Sequence, residues 1–232
     1  MGRGRTAGHP GGVSLVIFDC DGVLVDSERL YVRYDTRALN ELGWTISEAE
    51  VMDRFMGRTS AHMVAEIERT LGRPIESEWR GAIAEGRKEL FRRELEPVPG
   101  IHAALDQLTV PSCVASSSAH DMLDLVLSVT GLSERFAGRI FSGVDVEHGK
   151  PAPDLFLLAA ERIGVDPERC LVVEDSRAGV EAARAAGMRS LGYHGGITPA
   201  AHLEGEGTVL FSSMGDLPWL VANAEAVFAK SR

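Results

Sequence analysis

Two aspartates one residue apart directly follow the first strongly apolar run of the sequence. The run from Ser14 to Phe18 ends in Asp19-Cys20-Asp21-Gly22. Two carboxylates one residue apart at a strand end, followed by a glycine, can point at one position while the backbone turns away. The alternative is a pair of solvated loop aspartates, and for Asp-x-Asp alone that interpretation is the better one.

Two further clusters could bind and neutralise an anion. Ser116-Ser117-Ser118 follows a short apolar run, and its hydroxyls together with the free N–H groups of a following helix would form an anion site. The simpler interpretation of a serine run is a helix N-cap. Lys150 lies at the base of a loop that Pro151 and Pro153 stiffen. A lone lysine in such a loop is usually an exposed surface residue.

A second pair of acidic residues, Glu174-Asp175, follows the apolar run from Leu171 to Val173. Adjacent carboxylates at the end of a buried strand repel each other unless a cation or a proton resolves the conflict. Mg²⁺ binds oxygen ligands of this kind and keeps several waters of its own. This pair therefore favours a magnesium site.

The elements that must position these clusters follow from alternating strand and helix patterns. Near-continuous apolar runs indicate strands buried on both faces of a parallel sheet. Strands that alternate with helical patterns predict an α/β fold, a doubly wound Rossmann-like parallel sheet. In such a sheet, ligands bind at the carboxyl ends of the strands, where all four clusters fall. The predicted strands are Ser14–Phe18, Ser112–Ala115, Arg139–Phe141, Cys170–Val173, Arg189–Leu191 and Thr208–Phe211.

The interval between the first two strands is helical throughout. Ser47 and Glu50 have the spacing of a capping box, which predicts a helix start there. Some seventy helical residues cannot all lie on the sheet, so we predict an inserted cap. The predicted division is a flexible tail at 1–12, a core at 13–25 and 98–232, and an α-helical cap at 26–97.

Composition excludes several classes of function. The net charge is −10 and the sequence has no basic footprint, so we expect no nucleic-acid partner. No run approaches the roughly 18 apolar residues of a membrane helix, so we expect no membrane partner and a cytoplasmic location. The three cysteines are widely spaced and are expected to be buried, inert thiols. An anionic substrate would need local positive charge to offset this acidity.

Together the four clusters resemble the four motifs of the haloacid dehalogenase superfamily. The resemblance is carried by Asp19-x-Asp21-Gly-Val-Leu-Val-Asp-Ser-Glu, Gly-Lys150-Pro-Ala-Pro-Asp and Glu174-Asp175-Ser-x-Ala-Gly, and it extends from Ser14 to the last helix. The chain is most similar to subfamily I, whose phosphatases and phosphomutases carry an α-helical C1 cap after the first strand. The helical insert falls where that subfamily places its cap.

The resemblance implies a role for each motif residue. Asp19 would attack phosphorus and form an aspartyl-phosphate. Asp21 would protonate the leaving oxygen and then deprotonate the attacking water or alcohol. Ser116, with Ser117, would bind the phosphoryl oxygens, and Lys150 would bridge the phosphate and Asp19.

The resemblance also implies Mg²⁺ as cofactor. Asp19, the backbone carbonyl of Asp21 and Asp175 would hold the ion, and Glu174 would assist directly or through water. The second aspartate favours phosphoryl transfer, because dehalogenases of the superfamily displace halide and lack a carboxylate there. In the cap, Tyr31 and Arg58 could contact the non-reacting end of the substrate, although most cap charges only solvate helices.

These implications predict a Mg²⁺-dependent phosphatase acting on a small phosphorylated metabolite, a sugar or sugar-acid phosphate. The alternative is a sugar-phosphate mutase of the beta-phosphoglucomutase kind. Such mutases carry a histidine twelve residues past the nucleophile, where this sequence has Tyr31. A remote alternative is a non-catalytic binding protein on the same fold. The sequence does not predict the oligomeric state.

Overall fold

The computed structural model describes residues 12–55 and 60–229, with side chains from residue 62 onward in the second range. Nearly all of the predicted tail and the whole of Arg58 lie outside the described residues. Six parallel strands form one sheet, and all six coincide with the predicted apolar runs to within two residues at either end. The strands are β1 (Leu15–Phe18), β2 (Ser112–Ser116), β3 (Ile140–Ser142), β4 (Cys170–Glu174), β5 (Arg189–Tyr193) and β6 (Thr208–Phe211).

The strand order is β3-β2-β1-β4-β5-β6, and every pair is parallel. β1 lies between β2 and β4, with Phe18 paired to Val114 and Val173. The order reverses at β1, which creates the crevice where doubly wound sheets bind ligands. The predicted Rossmann-like fold is confirmed.

Helices cover both faces of the sheet. Alternate side chains of β1 point to opposite faces, so each face has apolar side chains against which helices pack. Val16 and Phe18 face one apolar cluster, and Leu15 and Ile17 face the other. The three cysteines are free and buried, as predicted. The core helices are α5 (Ile101–Gln107), α6 (His120–Val129), α7 (Ser133–Phe136), α8 (Asp154–Ile163), α9 (Arg177–Ala185), α10 (Leu217–Ala222) and α11 (Ala224–Ala229).

Five of the described helices lie between β1 and β2, and the first four contribute to a third apolar cluster, which includes Val32, Leu39 and Ile67. Ser47 and Glu50 form the predicted capping box: the Glu50 carboxylate accepts from the Ser47 N–H at 2.9 Å, and the Ser47 hydroxyl accepts from the Glu50 N–H at 3.3 Å. The insert helices are α1 (Glu28–Leu42), α2 (Glu48–Phe55), α3 (Ser60–Leu71) and α4 (Ser77–Glu94).

The two chain segments that join core and insert are paired to each other. The Asp26 N–H donates to the Glu96 carbonyl at 3.0 Å, and the Val98 N–H donates to the Leu24 carbonyl at 3.0 Å. The predicted domain boundaries, between residues 25 and 26 and between residues 97 and 98, fall inside this paired neck. The division into two domains stays a prediction. Among the described residues, no helix has the length and hydropathy to cross a membrane.

Phe136 supports the strand that carries the first aspartate cluster. Its ring is fully buried, and its centroid lies 6.2 Å from that of Phe18 in an edge-to-face arrangement. We expect Phe136→Ala to lower the free energy of unfolding by about 3–5 kcal/mol, because it leaves a cavity beside β1. The measurement is urea unfolding, with the exposed Val144→Ala as control. A loss below about 1 kcal/mol for Phe136→Ala would contradict this packing role.

Candidate active site

Asp19 directly follows β1, and its position is fixed by backbone and side chain together. Its N–H donates to the Val173 carbonyl of β4 at 2.9 Å. Nζ of Lys150 donates to Oδ1 of Asp19 at 2.5 Å, and the lysine side chain is only 4% exposed. The predicted pairing of these two residues, 131 positions apart in the chain, is therefore present in the structure.

Lys150 uses all three of its N–H donors inside the protein. Besides Asp19, it donates to the Ala115 carbonyl at 3.0 Å and to Oε1 of Glu174 at 2.7 Å. Its Nζ also lies 4.7 Å from the centre of the Phe156 ring. Burial by itself would lower the pKa of Lys150, but Asp19 and Glu174 outweigh it and raise the pKa above its usual value. The lysine is therefore a fixed positive charge.

Both carboxylate oxygens of Glu174 are already engaged by protein groups. Oε1 accepts from Lys150, while Oε2 accepts from the Ser176 N–H at 2.8 Å and from the Ser176 hydroxyl at 2.9 Å. The residue is 1% exposed. Glu174 therefore anchors Lys150. Because both of its carboxylate oxygens have partners, the arrangement favours contact with a metal ion through water over direct ligation.

Asp21 is held by two serine hydroxyls from opposite sides. Ser27 donates to Oδ1 at 2.6 Å, and Ser118 donates to Oδ2 at 2.9 Å. A hydroxyl can accept as well as donate, so these serines can support the carboxyl group with or without its proton. Neither serine was singled out from the sequence, although both lie inside segments that were.

The predicted phosphate-binding serines occupy different environments. Ser116 ends β2 and is buried, and its hydroxyl oxygen accepts from the Ser118 N–H at 3.1 Å, which leaves its proton available for another acceptor. Ser117 is exposed. Of the three consecutive serines, Ser118 is the one whose side chain contacts another motif residue, Asp21.

Asp175 carries a buried oxygen that has no partner. The residue is 3% exposed, and its Oδ2 makes no hydrogen bond among the described residues. Gly22 packs directly against it: a methyl group on Gly22 would overlap the Asp175 carboxylate, and Gly22 has a φ of +73°. A buried polar atom without a partner is costly, so this oxygen is poised for a ligand.

A fifth carboxyl group, from Glu28, lies beside Asp175. Glu28 begins α1 and is buried, and after burial itself the charge of Glu28 is the largest cause that raises the pKa of Asp175. Sequence analysis missed this residue, although it is the glutamate of the Asp-Ser-Glu segment. Its signal was an acidic residue at a helix start shortly after the aspartate pair, which more often only caps a helix.

The buried carboxyls shift each other's proton affinity. Burial raises the pKa of Asp19 to about 8, Glu174 and Asp21 add to the rise, and Lys150 opposes it. Burial likewise raises the pKa of Glu28 to about 7 and that of Asp175 well above its usual range. Ionised Asp19 therefore needs more positive charge nearby than Lys150 alone provides.

The insert contains a compact cluster around Tyr31. The Tyr31 ring packs edge-to-face on Phe91, with centroids 4.8 Å apart, and the Arg87 guanidinium lies 5.4 Å from the Tyr31 ring. Arg87 forms a two-bond ion pair with Asp35, at 2.8 and 2.6 Å. Burial and the Asp21 charge raise the pKa of Tyr31. The charge of Asp21 therefore acts on the Tyr31 phenol. Arg58 lies outside the described residues.

Comparison with known proteins decides the family. The sequence profile of the haloacid dehalogenase-like hydrolases matches residues 13–187. The chain belongs to this family. The crystal structure of a haloacid dehalogenase-like protein of unknown function from Agrobacterium tumefaciens superposes with a TM-score of 0.82 at 38% identity, covering 92% of this chain and all of that one.

Among the curated relatives of this hydrolase are named phosphatases. The 6-phosphogluconate phosphatase of Escherichia coli is 33% identical over 76% of this chain and 80% of its own length. A probable pseudouridine-5'-phosphatase of Drosophila melanogaster is 35% identical, with the same coverage. A putative beta-phosphoglucomutase of Thermotoga maritima has a TM-score of 0.75 at 28% identity, over 93% of this chain and all of that one. These relatives confirm the prediction of a phosphoric monoester hydrolase.

The chemistry of the donor set is compatible with Mg²⁺. In the part of the chain that the structure describes, no three His, Cys, Asp or Glu side chains form a preassembled metal cage. Mg²⁺ does not need one, because it binds through one or two carboxylates and completes its shell with waters and substrate phosphate. The unpartnered Oδ2 of Asp175 and the excess of buried carboxyls over Lys150 both favour a cation here.

Gly22→Ala tests whether the hydrolase needs the close approach of Gly22 to Asp175. We expect loss of phosphomonoester hydrolysis, because the added methyl group displaces the Asp175 carboxylate. The matched control is Gly43→Ala, which also has a positive φ, +105°, but meets open space. We expect the control to lose about 1–2 kcal/mol of stability and to keep its activity. Wild-type turnover in folded Gly22→Ala, measured with p-nitrophenyl phosphate, would contradict the account.

Proposed function

We propose that the chain is a Mg²⁺-dependent phosphatase that hydrolyses a small phosphomonoester, a sugar or sugar-acid phosphate, through an aspartyl-phosphate on Asp19. The observation that carries the proposal is the buried contact of Lys150 with Asp19, with the serine-held Asp21 two residues further on. An anionic nucleophile can approach an anionic phosphate only if fixed positive charge offsets the repulsion. Lys150 supplies part of that charge.

In the first half-reaction, an Asp19 carboxylate oxygen attacks phosphorus and forms an O–P bond. The bond from phosphorus to the substrate oxygen breaks, and that oxygen leaves as an alcohol after it takes a proton from Asp21. General acid catalysis is required because an unprotonated sugar alkoxide is a poor leaving group. The products of this step are the free alcohol, phosphorylated Asp19 and ionised Asp21.

In the second half-reaction, ionised Asp21 takes a proton from a water molecule that attacks the same phosphorus. The bond from phosphorus to Asp19 breaks, inorganic phosphate is released and the Asp19 carboxylate is restored. Asp21 is again protonated for the next substrate. Splitting one difficult displacement into two easier ones is the advantage of a covalent route.

The remaining motif residues bind and orient the phosphoryl group. The Ser116 hydroxyl proton would donate to its oxygens, and Lys150 would act on them through its charge, since its three N–H groups already have partners. Asp19, the backbone carbonyl of Asp21 and Asp175 would hold Mg²⁺, with Glu174 acting through water. When bound, the ion supplies positive charge against the phosphoryl oxygens and the nucleophile.

The cap and the relatives support a sugar or sugar-acid phosphate as the substrate. A 6-phosphogluconate phosphatase and a phosphorylated carbohydrates phosphatase are both among the similar proteins. Tyr31 and Arg87 lie together in the insert. The Tyr31 hydroxyl and the Arg87 N–H groups not bonded to Asp35 would donate to the hydroxyl groups of a sugar.

Tyr31 favours the phosphatase over the alternative mutase. A sugar-phosphate mutase is expected to carry a histidine at this position, a group that exchanges protons near neutral pH. Tyr31 is packed between Phe91 and Arg87, and burial keeps its phenol protonated. The non-catalytic alternative is disfavoured because every predicted motif residue is present and the buried Asp19–Lys150 contact is formed.

The test is phosphate release from a panel of sugar, sugar-acid and nucleotide monophosphates. We expect release from the sugar or sugar-acid members with Mg²⁺, and loss of release after EDTA treatment that added Mg²⁺ reverses. Asp19→Asn is the control, because it preserves the size of the side chain and removes the nucleophile. Release that persists in EDTA, or in Asp19→Asn, would contradict the proposal, and isomerisation of a hexose 1-phosphate without release would favour the mutase.

A further inference from the structure

The usual role of a serine just before a helix does not fit Ser118. Serines in such places commonly cap the helix by accepting from its first N–H groups. The N-cap position of α6 is Ala119, whose methyl group cannot accept a hydrogen bond. The Ser118 hydroxyl instead donates to Oδ2 of Asp21 at 2.9 Å, across 97 positions of the chain. The contact between this serine and Asp21 therefore needs another explanation.

The loop that carries Ser118 is held from the side of β3. Ser142, a fully buried residue at the end of β3, donates from its hydroxyl to the Ser118 carbonyl at 2.6 Å. Gly143 follows and packs so closely that a methyl group on it would lie 3.1 Å from the Ser117 carbonyl oxygen. The Ser118 N–H also donates to the Ser116 hydroxyl at 3.1 Å. These contacts fix the position of Ser118 relative to the sheet.

Asp21 needs contacts from outside to fix its carboxyl group. An aspartate side chain can rotate about both of its bonds, and a proton donor must lie within hydrogen-bonding reach of the leaving oxygen. One contact comes from Ser27, at the start of the insert, which donates to Oδ1 at 2.6 Å. Ser118 follows β2, the strand paired with β1, so its contact fixes Asp21 relative to the sheet that carries Asp19.

We propose that Ser118 is a positioning residue for Asp21: its hydroxyl holds the carboxyl group where it reaches the leaving oxygen of the substrate, and Ser142 holds Ser118 in place. The inference rests on the proposed function, in which Asp21 is the general acid. Misplacement of a reacting group by about 1 Å can cost about 100-fold in rate. Loss of this one hydrogen bond therefore has a measurable effect on the step that needs the proton.

The experiment compares two esters whose leaving groups differ in their need for a proton. Phenyl phosphate releases a basic phenolate, whereas the weakly basic p-nitrophenolate leaves without protonation. The readout is kcat/KM for each ester with the full-length protein and Mg²⁺, because this parameter covers cleavage of the ester bond and excludes the later hydrolysis of phosphorylated Asp19. We expect Ser118→Ala to lower kcat/KM roughly 10-fold more for phenyl phosphate than for p-nitrophenyl phosphate.

Three further variants sharpen the comparison. Ser118→Thr keeps the hydroxyl group, so we expect it to restore most of the activity on phenyl phosphate. Ser142→Ala leaves every side chain of the candidate site in place, and we expect it to shift the ratio of the two kcat/KM values in the same direction as Ser118→Ala. Ser128→Ala is the control, because Ser128 is an exposed serine of α6, and we expect the wild-type ratio. If Ser118→Ala does not fold, Ser142→Ala carries the test.

Asp21→Asn separates this inference from the proposed function. A selective loss on phenyl phosphate in Asp21→Asn, with the wild-type ratio in Ser118→Ala, would overturn the positioning role and leave the phosphatase standing. An equal loss on both esters in Ser118→Ala, accompanied by a lower Tm, would also overturn it, because that is the effect of a purely structural contact. The wild-type ratio in Asp21→Asn, or no hydrolysis of either ester by the wild type, would overturn the proposed function and this inference with it.

Discussion

The structure depends on one electrostatic constraint: five carboxyl groups meet at the ends of β1 and β4, and one buried lysine faces them. Lys150 satisfies Asp19 and Glu174 together, and it has no N–H group left for Asp175 or Glu28. Burial raises the pKa of Asp19, Asp175 and Glu28. This excess of negative charge attracts a cation, either alone or together with a ligand that carries it. A bound cation is the condition for a metal-assisted attack on phosphate.

The sheet order makes this constraint possible. β1 is paired on one side with β2 and on the other with β4, so residues far apart in the chain end at the same edge. The insert leaves and re-enters the core through the paired neck, and its first residues bring Ser27 into contact with Asp21. Core and insert therefore share the site.

Short apolar runs predict the six strands of the sheet and the edge at which the polar clusters lie, because both follow local rules. The roles of the motif residues come from the family resemblance and stay a prediction. Sequence reasoning named Ser118 only as one of three serines, without its contact with Asp21, and it did not find Glu28. Their roles depend on how the loop after β2 turns and where α1 sits on the core, and neither is encoded in local periodicity. The Arg87–Asp35 pair depends in the same way on the packing of α4 against α1.

The central claim is that Asp19 becomes covalently phosphorylated. The most direct measurement is acid quenching of the enzyme during turnover of its substrate, followed by borohydride reduction and mass spectrometry of the peptide that contains Asp19. An aspartyl-phosphate is reduced to homoserine, so the account predicts homoserine at position 19 in substrate-treated wild-type enzyme and none without substrate. Full turnover with an unmodified Asp19, or modification at another carboxylate, would contradict the claim.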